Sequence, residues 1–177
     1  SNNIIAGFSF IKLQANDLFP IKTSLFINSE IGSRTQKKAQ ESQVRFTGIL
    51  NYIFNLNFKN SIYLQNTSAF LTSDTFLTNE LYRFGGINTM RGFNENSIDA
   101  SFYSVVNTEY RYQFNNDIYI HSIIDFAYFE NQVLSIKEKL YSFGLGLGLQ
   151  TNAGIIKFNI ANGITDNQDF NFSNTKI

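Results

Sequence analysis

Apolar and polar side chains alternate at period two through most of the chain, and the alternation returns in five long segments. In the segment 44–58, one face carries Val, Phe, Leu and Tyr residues, and the opposite face carries Arg45, Thr47 and Asn51. The other segments that divide in this way are 21–31, 102–114, 118–129 and 141–149. Because successive side chains of a β-strand point to opposite faces of the sheet, this period predicts strands with one apolar and one polar face.

The alternation, together with the turn residues between its segments, predicts about nine antiparallel strands. Their ranges are 3–15, 20–32, 43–58, 61–72, 100–114, 118–130, 140–150, 155–165 and 171–177. The connections alternate in length: 17–19 is short, 33–42 long, 59–60 short and 73–99 very long. Outer-membrane barrels have short periplasmic turns and longer outer loops, so this alternation favours an antiparallel transmembrane β-barrel.

A soluble β-sandwich also alternates, but three features favour the barrel over it. The predicted strands other than 171–177 run 11 to 16 residues, whereas globular strands average about five or six. Aromatic residues gather toward the ends of the apolar faces, as in the girdle at a membrane interface. The polar faces carry Asn and ionisable groups in mid-strand, which suits a water-filled lumen.

Composition contributes mainly by exclusion. Aromatic residues make up 16% of the 177 residues, yet the mean hydropathy is only −0.15 because many Asn, Ser, Thr and Gln lie among them. No apolar run reaches the roughly 18 residues that a spanning helix needs, so any membrane span must consist of strands. A net charge of zero argues against nucleic acid, and the lack of Cys excludes disulfides and thiolate metal sites.

The two ends of the chain raise the question of closure. Ser1 is not a Met and opens no signal peptide, so we expect it to begin a fragment or a processed protein. A nine-stranded sheet left open in lipid would expose unpaired backbone groups at both edges, at several kcal/mol for each group. We therefore expect further strands before Ser1, with a second copy of the chain as the alternative.

The very long connection contains RFGGINTMRGF at 83–93. Its glycines permit positive φ and close backbone approach, so this loop can fold tightly. Arg91 lies between the apolar Met90 and a glycine–phenylalanine pair, and a guanidinium in such a setting favours a planar acceptor. A solvated loop arginine is the alternative interpretation.

RFGGINTMRGF resembles the signature of the sixth extracellular loop of the outer-membrane insertase and translocator superfamily. That superfamily includes BamA, TamA, surface-antigen proteins and the two-partner secretion transporters. In it the loop folds back inside the barrel. The residues that match the signature are Gly85, Gly86, Arg91, Gly92 and Phe93, while Met90 stands where Val or Leu is commoner.

The resemblance continues on both sides of the loop. The similar segments are NDLFPIK at 16–22, NTEYRY at 107–112, IIDFA at 123–127 and SFGLGLGLQTNAGIIKFNIA at 142–161. Asp125 keeps the family's aspartate, while Ile123 and Ala127 replace Phe and Gly. The resemblance implies that residues 1–177 form the C-terminal portion of a bacterial outer-membrane barrel of about sixteen strands, with upstream strands and any periplasmic domains absent.

The resemblance also implies that Arg91 points into the lumen and meets Asp125. Independently, the alternation places Asp125 on the polar face together with Tyr119 and His121. Glu109, which faces the same way, is a second candidate acceptor for Arg91. A bidentate bond between a guanidinium and a carboxylate would fix the loop geometrically.

Three glycines, Gly144, Gly146 and Gly148, leave one face of their strand bare. We expect them to make room for the loop tip around Phe93, or to let the strand bend. His121 is the only histidine, so a metal site or a catalytic triad would depend on it alone, and we expect a hydrated lumen histidine instead.

The function that the resemblance implies is assembly: folding and inserting β-barrel proteins into the outer membrane through a lateral seam, without enzymatic chemistry, cofactor or metal. The implied partners are outer-membrane lipid and lipopolysaccharide, unfolded client proteins, and periplasmic or lipoprotein accessory subunits, with no nucleic acid. The alternatives are a translocation pore of two-partner secretion type, the membrane anchor of a fused enzyme, and a small closed barrel for adhesion or passive permeation.

Overall fold

The computed structural model describes residues 2–16, 18–36, 39–165 and 175–176. Its strands are β1 (Asn2–Leu13), β2 (Ile21–Gln36), β3 (Ala39–Asn55), β4 (Asn60–Ser73), β5 (Tyr82–Phe84), β6 (Ile98–Ala100), β7 (Phe102–Gln113), β8 (Ile118–Asn131), β9 (Ile136–Thr151) and β10 (Gly154–Thr165). One short 3₁₀ helix, Thr78–Glu80, precedes β5. No helix among the described residues has the length and apolar character to cross a membrane.

Eight strands form one antiparallel sheet in the order β1-β2-β3-β4-β7-β8-β9-β10, and β5 pairs with β6 in a separate small hairpin. Each strand of the large sheet therefore neighbours the next large strand along the chain, as in a meander. The predicted all-β antiparallel class is confirmed. Among the described residues the sheet does not close on itself, because β1 pairs only with β2.

Several predicted bounds differ from the structure. The connection expected at 33–42 shrinks to 37–38, because β2 and β3 continue pairing as far as Gln36 and Ala39. The connection before β9 shortens to 132–135 for the same reason, since Asn131 pairs with Ile136. The residues at the ends of these hairpins are mostly polar, so their sequence shows no apolar period although their backbones are paired. Conversely, the connection expected at 17–19 is longer, because β1 ends at Leu13 and β2 begins at Ile21.

The ninth predicted strand, 171–177, lies outside the described residues except at 175–176. There, Lys176 forms an isolated antiparallel bridge with Ala161 of β10. Both backbone bonds of that bridge are made, at 3.0 and 2.8 Å.

The two faces of the sheet differ as the alternation predicts. We call the face that the loop covers the inner face. Directly paired residues in the middle of five strands give it an inner row of Gln65, Asn107, Asp125, Ser142 and Gly163. The outer face carries exposed apolar side chains such as Leu50, Phe126 and Phe143. Polar groups are thus gathered inside and apolar ones outside, the reverse of a soluble protein.

Two apolar clusters lie on the inner face, one toward each end of the strands. The larger lies at the end from which the long loop leaves, which we call the loop end. Its buried members are Ala69, Phe84, Met90, Ala100, Tyr103, Val105, Ala127, Phe129 and Leu140. The smaller lies at the opposite, turn end and comprises Leu18, Phe19, Ile53 and Tyr119. Both clusters seat connecting segments against the sheet.

Replacing Phe84 by alanine should lower the free energy of unfolding by about 3–5 kcal/mol, as for a buried phenylalanine in a packed core. Its ring is fully buried and stacks on Tyr103 with centroids 4.6 Å apart. Urea unfolding in lipid, followed by the gel mobility of the folded form, measures the loss. The exposed Ile87, in the same loop, supplies the control Ile87→Ala, and equal losses in both variants would contradict the role given to the cluster.

Candidate functional site

The long loop after β4 folds back over the inner face through a tight turn. Gly85 and Gly86 have φ of 112° and 93°, a region that L side chains rarely adopt. The Gly86 N–H donates to the Met90 carbonyl at 3.0 Å, and the Gly85 N–H donates to the Thr89 hydroxyl oxygen at 2.8 Å. Asn107 of β7 then donates from Nδ2 to the Thr89 carbonyl at 2.7 Å, which ties the turn to the sheet.

An apolar seat holds the loop from beneath. Met90 is completely buried in the larger cluster, and Phe84 packs edge-on against Phe129 with centroids 5.6 Å apart. The hairpin of β5 and β6 places Phe84 opposite Ile98, which also packs against the cluster. Because these side chains leave water together, the loop is fixed as part of the fold.

Arg91 follows Met90 directly and binds Asp125 of β8 through three hydrogen bonds. Nη2 donates to Oδ1 at 2.6 Å, Nε donates to Oδ2 at 2.9 Å, and the Arg91 backbone N–H donates to Oδ2 at 3.2 Å. The side chains of Arg91 and Asp125 are 6% and 0% exposed. The bidentate geometry fixes both the position and the rotation of the guanidinium.

The remaining arm of Arg91 reaches the second candidate acceptor. Nη1 donates to Oε1 of Glu109 at 2.5 Å. The other oxygen of Glu109 accepts from Arg111, whose Nε and Nη2 are both 2.7 Å away. We call these four side chains, Arg91, Asp125, Glu109 and Arg111, the ion array. All four are buried, and their formal charges cancel.

Charge pairing keeps Arg91 ionised despite its burial. Burial by itself would lower the pKa of the guanidinium, but the hydrogen bond and the charge of Asp125, with those of Glu109, outweigh it and raise the pKa above its ordinary value. Removing one carboxylate would leave a buried charge without its partner, which is much costlier than removing an exposed ion pair.

Gly92 and Phe93 carry the loop across to β10. Gly92 has φ of 83°, and a Cβ there would lie 2.7 Å from the backbone of Asn162 and Gly163. A Cβ on Gly163 would in turn lie 2.6 Å from the ring of Phe93. The loop tip thus approaches the sheet at backbone distance, and only glycine fits at these positions without displacement.

The space beside the glycines of β9 is occupied by groups other than Phe93, which we expected there. A Cβ on Gly146 would meet the ring of His121 at 2.3 Å, and one on Gly148 would meet the ring of Tyr119 at 2.0 Å. A Cβ on Gly144 would lie 2.1 Å from the carbonyl oxygen of Ile160. Phe93 lies instead at Gly163, one strand further on. The sequence cannot show this offset because it depends on which strand the loop tip crosses.

His121 was expected to be hydrated, and this was wrong. It is 2% exposed, and its Nε2 lies 2.9 Å from Oδ1 of Asn159 on β10. Within the described part of the chain, no group of three or more His, Cys, Asp or Glu side chains is placed to hold a metal ion.

Sequence reasoning missed two contributors. Arg111 lies on the polar face of β7 but was not singled out, although it completes the ion array. Phe19 was placed in a short turn, yet it is buried and lies under the Arg111 guanidinium, 4.6 Å from ring centroid to Cζ. The pair of apolar residues Leu18 and Phe19 in an otherwise polar turn was the available signal.

An antiparallel meander with an apolar outer face, a polar inner face and a loop bound inside it by buried ion pairs defines a β-barrel of outer-membrane type. The chain belongs to the Omp85 superfamily, whose domain model matches residues 18–175. Members of this superfamily are bacterial outer-membrane β-barrels that insert or translocate proteins and are not enzymes. No curated protein matches the sequence significantly.

Breaking the Arg91–Asp125 pair should release the loop. Arg91→Ala or Asp125→Ala should each lower the free energy of unfolding by about 3–5 kcal/mol, because the surviving partner loses its bidentate counter-charge in a buried site. The temperature at which the folded form disappears from gels measures this loss, and cleavage of the loop by protease measures its release.

The exposed pair Arg83–Asp99, 3.1 Å apart on the β5–β6 hairpin, provides the matched control. Arg83→Ala removes an arginine from the same loop and should change stability far less. If Arg91→Ala and Asp125→Ala both keep the stability and protease resistance of the parent protein, the Arg91–Asp125 pair does not hold the loop.

Gly92→Ala should displace the loop tip from β10, because it adds a methyl group within 2.7 Å of backbone at a positive φ. We expect a lower unfolding temperature and faster proteolysis of the loop. Gly7→Ala is the control, since its nearest neighbour would be 3.5 Å away at ordinary contact. Equal behaviour of the two variants would contradict close packing at Gly92.

Proposed function

We propose that this chain is part of an outer-membrane assembly factor that folds and inserts β-barrel proteins through a lateral seam. The observation that carries the proposal is the inner loop, which buried ion pairs bind to the sheet. On the far side of β10 from β9, Ala161 forms a backbone bridge with Lys176, and Nδ2 of Asn162 donates to the Thr175 hydroxyl oxygen at 3.2 Å. The inside of the barrel would stay fixed while this edge exchanges partners.

Backbone chemistry explains why such an edge would act on other barrels. In hydrocarbon no water replaces a lost strand partner, so an open edge binds an incoming strand by hydrogen bonding. A client chain brings the same unmet groups. Exchange of strand pairing would lower the barrier to insertion without covalent chemistry, metal or cofactor. The client would then leave into the bilayer by the route along which it paired.

Closure of the barrel is part of the same proposal. The free edge of β1 carries exposed apolar side chains such as Ile4 and Phe8, and it pairs on one side only within the described sheet. Further strands, to a total of about sixteen, would complete the wall. The seam would then lie between the first of those strands and the segment 171–177.

The surfaces of the sheet suit the partners expected for such a protein. Outer-face residues such as Leu145 and Ile160, 71% and 54% exposed, would contact acyl chains of the bacterial outer membrane. Lipopolysaccharide and phospholipid would surround the wall. Unfolded outer-membrane proteins would be the clients, and periplasmic or lipoprotein subunits would bind at the turn end.

Site-specific photocrosslinking tests the proposal on the full-length protein in its membrane. A photoreactive amino acid at Lys176, which is exposed beside the β10 edge, should capture an added unfolded barrel protein. The same probe at Leu64, on the outer face of β4 and far from that edge, is the control and should capture none.

A third probe position separates assembly from export. Gln65 lies on the inner face and lines a cavity beside Arg91 and Glu109. A translocation pore would pass its passenger along this face, so crosslinks from position 65 in place of position 176 would favour the pore. Crosslinks to a client from position 176 alone would support the seam, and an equal yield from position 64 would reject it.

A further inference from the structure

Two connecting segments enter the inner face from opposite ends, and each is fastened there. The long loop comes from the loop end and is bound by Arg91. The connection between β1 and β2, described at residues 14–16 and 18–20, comes from the turn end and buries Leu18 and Phe19. We call this segment the plug turn.

The plug turn is held in a defined shape by its own polar groups. The Phe19 N–H donates to Oδ1 of Asn16 at 2.9 Å, and Nε2 of Gln14 donates to the Phe19 carbonyl at 2.7 Å. Asn55 of β3 donates to Oε1 of Gln14 at 2.8 Å, which fixes the turn to the sheet. These bonds aim the Phe19 ring at the inner face.

Arg111 receives that ring in a cage of aromatic groups. The guanidinium carbon lies 4.6 Å from the centroid of Phe19, 4.1 Å from that of Tyr63 and 5.9 Å from that of Tyr119. Phe19 also packs edge-on against Tyr119, with centroids 4.8 Å apart. A buried cation–π contact of this kind is stronger than an exposed one because the cation has lost its water.

Glu109 connects this cage to Arg91, which binds the long loop to the sheet. One carboxylate oxygen accepts from Arg91 and the other from Arg111, so the two guanidinium groups share one buried anion. A displacement of Arg111 toward the turn end would either move Glu109 with it or break the bond between the two. If Glu109 moves away, Arg91 loses part of its charge compensation. Direct hydrogen bonds connect Arg91, Glu109 and Arg111, so a shift of one of them changes the environment of the others.

We propose that the plug turn and the long loop are coupled through the ion array, with Phe19 and Arg111 acting as positioning residues for Arg91. Release of the plug turn from the inner face at the turn end loosens the long loop, which enters the inner face from the loop end. Coupling between two sites is reciprocal in free energy, so loosening the loop loosens the turn to the same extent. A partner that binds at the turn end thereby acts on the loop.

Residues 1–177 contain no cysteine, so the full-length protein, with any cysteine outside them replaced by serine, can carry a single reporter thiol in this part. Met90→Cys places a thiol at a completely buried loop position, where maleimide reacts only when the loop lifts. Adding Phe19→Ala should raise the labelling rate about fivefold or more, although Phe19 touches no part of the loop among the contacts described.

Matched variants separate coupling from a general loss of stability. Phe58→Ala removes the same side chain at the same end of the sheet from a fully exposed position, and labelling should not change. Phe19→Tyr keeps a ring over Arg111 and should keep labelling slow, whereas Phe19→Leu keeps only apolar bulk and should resemble Phe19→Ala. The reverse experiment uses Leu18→Cys as reporter and Asp125→Asn as perturbation, with acceleration by a similar factor.

Three results would overturn the proposal. Labelling of the Met90→Cys protein within twofold of its parent after Phe19→Ala would show that turn and loop are independent. Equal acceleration by Phe58→Ala would show a nonspecific effect. Slow labelling in Phe19→Leu would show that packing, and not the contact between ring and guanidinium, carries the link.

Discussion

The buried ion array sets the conditions that the rest of the structure has to meet. Two guanidinium groups and two carboxylates that are buried together are tolerated only if the charges are matched and hydrogen-bonded. The antiparallel register of β7 and β8 places Asp125 opposite Asn107, and Glu109 occupies the next inner-face position along β7. Arg91 can reach both because its loop turns at Gly85 and Gly86. Sheet register and loop conformation therefore depend on each other, and neither could slip by one residue without leaving a bare charge.

Close backbone approach is the second constraint, and it follows from the first. When Arg91 binds Asp125, the next residue of the loop lies directly against the backbone of β10, where the space is too small for a side chain. Gly92 meets that need, and Gly163 makes the matching space for Phe93. Gly146 and Gly148 of β9 leave similar space for the rings of His121 and Tyr119. Part of the inner face is thus filled by rings that lie against glycines.

The fold class was predictable because alternation at period two is a local property that each strand displays by itself. Strand ends were less so: polar residues at 33–36 and 39–42 pair as well as apolar ones, but they give no period to read. Within the candidate site, the structure brings Arg91 together with Asp125 and Glu109, the acceptors proposed from the sequence. It also adds Arg111 and Phe19, whose meeting depends on how a turn folds inward. Such long-range contacts between a connection and a distant strand leave no trace in spacing.

The formal neutrality of the ion array has a consequence for how the protein responds to its surroundings. Dissolved ions weaken attractions between exposed charges, most strongly beyond a Debye length of about 8 Å at physiological salt, and they weaken buried pairs much less. The four residues are between 1% and 6% exposed and carry no net charge. We therefore expect the bonds that hold the loop to depend less on salt than the exposed Arg83–Asp99 pair does. The inner loop would then stay bound while the electrostatic interactions at the surface of the sheet change.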